Sequence, residues 1–223
     1  AKAESTTFEP EAEALTAKAQ VLMARHAIND AVLRGAGGGG QPVTRRLPVD
    51  DPYADPKSSL LSAIARANGA RTVWYPQYAL MAVIGYPGDL DGIEALFTSL
   101  LVQAGRTLVA KGPVVDEFGR SQTRSFRQSF LASYANRIGE RLEEAAAEAR
   151  REAEEEMSAN LLPVLASRDR EVDEAVAKAF PHLRRHRPHM ATNSAGWRAG
   201  RIAAETATLG PDQARLGNRS SAS

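Results

Sequence analysis

The sequence predicts an α+β protein, and three observations carry that prediction. Apolar residues recur at spacings of three and four in several segments, the mark of helices with one buried face. Arg71 to Tyr75 and Tyr78 to Tyr86 are short runs rich in Val, Ile, Trp and Tyr, separated by Pro76-Gln77, which reads as an antiparallel hairpin. A helical register then holds from about Gln122 to Met157, roughly 50 Å of helix at 1.5 Å per residue. The expected arrangement is an N-terminal helical segment, a small antiparallel sheet covered by helices, and a long C-terminal helix followed by further helices.

In chain order, Thr7 can cap a first helix whose opening turn takes Pro10 and the acids Glu9, Glu11 and Glu13, favourable at the positive end of the helix dipole. Leu15, Ala19, Leu22, Met23 and His26 share one stripe, and the helix is expected to run to about Ile28. Gly35 to Gly40, interrupted only by Ala36, reads as a flexible linker. It is not a phosphate loop, because Gln41-Pro42 stands where Lys-Ser/Thr or a helix is required. The expected units are therefore residues 1–34, a linker 35–42, an α+β domain 43–216 and a disordered tail 217–223.

The second unit opens with Val43 to Val49, an edge strand on account of Pro48. Asp55-Pro56 reads as a helix N-cap with Pro at the first position, leading Leu60, Leu61, Ile64 and Ala65 along one side until Asn68-Gly69. Pro87-Gly88 ends the hairpin's second strand. Asp89 can then cap a helix that carries Ile93, Leu96, Phe97, Leu100, Leu101 and Leu108. In the long helix, Phe126, Phe130, Tyr134, Ile138 and Leu142 step by four. Beyond Ala149 the stripe fades into charge, with Arg150 to Glu154 and Arg151 to Glu155 spaced as supporting ion pairs, so this half is expected to project into solvent or meet a partner. Two more helices are expected near Arg168 to Phe180 and Ala191 to Leu209.

At 223 residues, 43% apolar and 25% charged, the chain is long enough to bury a sizeable core. The absence of cysteine excludes a disulfide framework and thiolate chemistry. No window approaches the roughly 18 consecutive apolar residues that span a bilayer, and no secretory leader opens the chain. A cytoplasmic protein without membrane contact is expected. Arg outnumbers Lys 23 to 5, which suits bidentate phosphate binding but also results from GC-rich codon usage. The opening Ala1-Lys2-Ala3-Glu4 has no initiator Met and reads like the end of a helix, so residues are expected to precede it.

The stretch Ala1-Lys2-Ala3-Glu4-Ser5-Thr6-Thr7, continued by Glu11 to Gln20 and Leu22-Met23-Ala24-Arg25-His26, resembles domain-of-unknown-function family 2786 of bacteria and phages. Gly85 to Asp89, Ser125 to Phe130 and Gly196 to Arg201 are similar to segments C-terminal to that domain in actinobacterial members. The resemblance implies a bacterial or phage origin and a missing leading helix. It implies no activity and no catalytic residues.

The net charge of +1 conceals a segregation. An acidic run, Glu152 to Glu156, gives way to Pro181 to Gly200, which contains no carboxylate but holds Arg184, Arg185, Arg187 and Arg198 with His182, His186 and His189. Arg184, Arg185, Arg187, Arg198 and Arg201 are the candidate phosphate contacts, with Trp197 able to stack on a base. The competing reading is a solvated face, with Arg201 paired to Glu205 and Trp197 in the core. Gly196 and Gly200, with Ala203, Ala204 and Ala207, form a row of small residues that admits close approach of another backbone, within the chain or across a dimer. Phe126, Phe130 and Tyr134 are the matching candidates for helix packing or oligomerisation.

His182 and His186 stand one helical turn apart, but Pro188, the neighbouring arginines and the missing carboxylate argue against a metal site, so no metal and no cofactor are expected. His26 lies on an apolar face with no partner near in sequence and carries no catalytic assignment. Asp50, Asp51 and Asp55, with Asp89, Asp91 and Glu94, are the acid groups that a metal-dependent hydrolase would need, although capping explains Asp55 and Asp89. The favoured function is a non-enzymatic protein that binds DNA or RNA through phosphate contacts. The alternative is a protein-interaction or homo-oligomeric component of a bacterial or phage assembly, and a metal-dependent hydrolase comes third.

Overall fold

The computed structural model describes residues 40–157, 162–183 and 192–209. The first helix, His26, the linker before Gly40, Arg184, Arg185, His186, Arg187, His189 and the tail from Gly217 lie outside the described residues. Within them the fold is α+β. Three strands, β1 (Val43–Pro48), β2 (Arg71–Tyr75) and β3 (Leu80–Gly85), form an antiparallel sheet in the order β1-β3-β2. The N-terminal strand is an edge strand, as Pro48 requires, with Pro48 opposite Leu80 at the end of the ladder. The hairpin between β2 and β3 turns through a 3₁₀ segment, Pro76–Tyr78, and a left-handed Ala79, so Tyr78 belongs to the turn and not to the strand.

Side chains alternate across the central strand. Met81 and Val83 enter the main core with Leu47, whereas Ala82 and Ile84 join Val73 and Tyr86 in a second cluster on the opposite face. The first face is covered by α1 (Ala54–Ala67) and α2 (Pro87–Lys111), and α3 (Thr123–Met157) packs against both of them. The second is covered by α4 (Leu162–Ala179), whose Val172 is fully buried in the second cluster. The last helix, α5 (Ser194–Glu205), lies along α3, which packs against α1 as well.

Two expected caps are not caps. Helix α1 begins after Tyr53, and Asp55 sits inside the first turn, where its carbonyl accepts from the Ser58 hydroxyl at 2.7 Å and the Ser59 hydroxyl at 3.1 Å. Helix α2 begins at Pro87, directly after Tyr86, and Asp89 is drawn instead into an ion pair with Arg168 of α4. Local capping chemistry lost in that case to a tertiary partner of full opposite charge. Helix α2 is long and apolar enough, by length and composition, to cross a membrane, but Leu90, Ile93, Leu96, Phe97 and Leu100 along it are buried in the core.

Phe126, Phe130, Tyr134, Ile138 and Leu142 of α3 are all buried, and the first three rings stack at centroid distances of 6.4 and 6.0 Å. The stripe does not end at Ala149: it narrows to Ala146, Ala149 and Ala153, all buried beneath a charged exterior. There Arg151 pairs with Glu148, one turn back, rather than with Glu155. Helix α4 starts earlier than expected, with Pro163 accommodated in its first turn. Helix α5 is shorter than expected, although Ala207 and Leu209 beyond it remain in the core.

Candidate functional site

Because β2 is an edge strand of the described sheet, one of its sides faces no other strand among the described residues, and a cleft of about 1750 Å³ opens beside it. Ser58, Ser62 and Arg66 of α1 form one wall and Trp74 and Tyr75 of β2 another. Ala132, Ala135 and Gly139 of α3 form the floor, where short side chains leave the space. Phe180 to Leu183, after α4, and Asn193, Ser194, Trp197 and Arg198, at the start of α5, complete it.

Each wall is held by identifiable contacts. The Ser62 and Thr72 hydroxyls bond at 2.9 Å between α1 and β2, and Tyr75 meets Phe180 edge-on at 6.3 Å. Asn193 fixes the start of α5 three ways. Its side chain accepts from the Gly196 N–H at 2.8 Å, its own N–H donates to the Ser129 hydroxyl at 3.0 Å, and its amide nitrogen reaches the Ser125 hydroxyl at 3.4 Å. At the other end of α5, Arg141 donates to the carbonyls of Ala204 and Ala207, a cation placed on the negative end of the dipole.

The charged side chains among the described lining residues have one sign: Arg66 and Arg198 line the cleft, with His182 beside them, and no Asp or Glu does so among the described residues. This contrasts with the described residues as a whole, in which acids outnumber Lys and Arg. Arg66 also pairs with Glu143 at 2.6 Å, whereas Arg198 is exposed and forms no ion pair among the described residues. Glu140 stands behind the cleft on α3. Burial pushes its carboxyl up, but hydrogen bonds from Arg137 and Arg201 together with their charges outweigh this and hold it below the usual carboxylate range.

The structure divides the residues singled out in the sequence. Trp197 and Arg198 face the cleft, with Trp197 39% exposed. Arg201 does not: it pairs with Glu140 at 3.3 Å, and Glu205, its expected partner, is taken by Arg137. Gly196 and Gly200 lie against α3 of the same chain, where an added Cβ would collide with the carbonyl oxygens of Phe126 and Phe130 respectively. Arg66, Trp74, Tyr75 and Phe180 had no local signal, because the cleft assembles them from separate elements. Among the described residues no group of three or more His, Asp or Glu side chains converges to hold a metal ion. Asp91 and Glu94 are both engaged by Arg45, at 2.7 and 3.1 Å, and Asp89 by Arg168.

Residues 1–30 match the family described as Protein of unknown function (DUF2786). That match covers the N-terminal block that carries the resemblance and bears it out there. No curated protein and no solved structure matches the chain. The DUF2786 match ends before β1, so every described residue of the cleft lies beyond it.

Proposed function

We propose that the chain is a nucleic-acid-binding protein and that the cleft beside β2 is its contact surface. The observation that carries this reading is the cleft's charge: Arg66 and Arg198, beside His182, with no carboxylate among its described lining residues, whereas the described residues as a whole hold more acids than Lys and Arg. Such a local excess of cations attracts a polyanion, and the guanidinium of Arg198 is free to take a phosphate in bidentate fashion. The lining also offers hydroxyls, amides and aromatic rings, which can hydrogen-bond to and stack against a ligand, and binding without turnover is the favoured reading. Fluorescence-anisotropy titration of the full chain with DNA and RNA at two salt concentrations tests it. Micromolar or tighter binding that weakens with salt is expected, and no binding at low salt to any nucleic acid sinks the proposal.

One observation favours a second reading, a protein-interaction component. An edge strand in a cleft can accept an extended peptide as a further strand, with side-chain pockets supplying specificity. Peptide capture at β2 that is insensitive to salt, together with no nucleic-acid binding, would favour it.

A further inference from the structure

On the reading that this cleft binds nucleic acid, we infer that its ligand is an unpaired strand whose bases lie against Trp197 and Trp74. Three features lead there. The cleft, at about 1750 Å³, exceeds the roughly 300–1,000 Å³ of small-molecule sites, so it suits an extended ligand. Its aromatic surface is concave: Trp74 and Tyr75 on the strand edge and Trp197 on α5 all line the same depression. A duplex presents phosphates outward and keeps its base faces stacked inside, so only an unpaired base can reach these rings.

The third feature is the balance of magnitudes. The cleft's described cations are few, and one of them, Arg66, already has a carboxylate partner. Stacking strengthens binding by about 5- to 150-fold per base, so the rings add affinity beyond what these phosphate contacts give, and they act only on exposed bases. Ser62, Thr72 and Asn136 line the same cleft and offer hydroxyl and amide groups to base edges.

The chain supplies its own probe. It contains two tryptophans, and both line the cleft, so a stacked base should quench intrinsic emission directly. The test titrates the full chain with unpaired DNA, unpaired RNA, duplex DNA and an abasic strand of matched length, reading anisotropy and tryptophan emission together. Unpaired strands are expected to bind about tenfold or more tighter than the duplex or the abasic strand and to quench the emission. Trp197→Ala should weaken the unpaired strand by about 5- to 150-fold, the equivalent of one stacked base, and leave the abasic strand unchanged. Trp197→Phe, which keeps a ring, should recover most of the loss. Equal affinity for duplex, abasic and unpaired strands, or binding without quenching, would overturn base stacking while leaving phosphate binding intact. Binding to none of them would overturn both.

Discussion

Arg137 holds Glu205 by two parallel hydrogen bonds, Nε to Oε1 at 2.7 Å and Nη2 to Oε2 at 3.1 Å, and so ties the end of α5 to the middle of α3. The same guanidinium donates to Glu140 and Glu144 at 3.1 and 3.2 Å, and its side chain is mostly buried. The hydrogen bond from Arg137 keeps the Glu205 carboxyl below the usual carboxylate range. A carboxyl with a lowered folded pKa stabilises the protein above its unfolded pKa, about 4.3 for Glu, and loses that contribution as pH falls through the folded value. Arg137→Met is expected to cost about 1–2 kcal/mol at neutral pH, a bidentate pair discounted for the partial exposure of Glu205. Urea midpoints of the wild type and Glu205→Gln should differ at neutral pH and converge in acid, once the pH has fallen through the lowered folded value of Glu205. A gap that persists unchanged into stronger acid would remove Arg137 as its cause.

Gly200 makes a second prediction through its closest neighbour, the carbonyl oxygen of Phe130. In an open helix, Gly→Ala stabilises by about 0.8–1 kcal/mol. At Gly200 the new methyl meets backbone that cannot rotate away, and overpacking costs about 1–3 kcal/mol, occasionally more. Gly200→Ala should therefore destabilise on balance, whereas Gly105→Ala in α2, where nothing lies within 4 Å of the added carbon, should stabilise. Thermal melts of the two variants decide it. Stabilisation by both would mean that α3 and α5 are not in close contact.

How much of this was legible depends on how local each determinant is. Strand β2 runs from Arg71 to Tyr75 as its β-branched and aromatic run predicts, and α3 differs from its predicted span by one residue at the start. Both are set by periodicity and by Pro or Gly nearby. The caps failed where a distant charge competed, as at Asp89, or where the chain entered the helix from a left-handed residue, as at Tyr53. The cleft was only half legible. Trp197 and Arg198 stood out because they belong to a carboxylate-free stretch, but Trp74 joins them only once β2 lies at the sheet edge and α5 has settled against α3. Arg201 belongs with Arg198 by helical spacing, yet Glu140, far away in sequence, claims it.

Asp89 and Arg168 give a third prediction. Their side chains are each only 10% exposed, and Arg168 also lies over the Tyr86 ring at 4.5 Å, while the Tyr86 hydroxyl donates to Glu171 at 2.6 Å. Together these contacts fasten α4 to the start of α2 and to the end of β3. Removing one member of a buried pair strands the other charge, at a cost of about 3–5 kcal/mol. Asp89→Asn and Arg168→Met should each approach that loss, and the double variant should lose much less than their sum. Additive losses in a double-mutant cycle would show that the two side chains act independently.

Arg198 and Arg201 are three residues apart on one helix, and the structure assigns them different work. Arg198 is exposed at the cleft and has no ion pair among the described residues, whereas Arg201 is bound to Glu140. If the cleft is the nucleic-acid site, Arg198→Gln should weaken binding to an unpaired strand and reduce the slope of log K against log salt by about 0.7, the loss of one phosphate contact. Arg201→Gln should leave that slope unchanged and lower stability by less than about 1 kcal/mol, as expected for a partly exposed pair. Salt titrations of both variants against the same oligonucleotide, with urea melts alongside, separate the roles. Equal slope changes for the two would extend the contact surface along α5 beyond the cleft. A change for Arg201→Gln alone would place the binding surface on the outer face of α5 and leave the cleft to a different ligand.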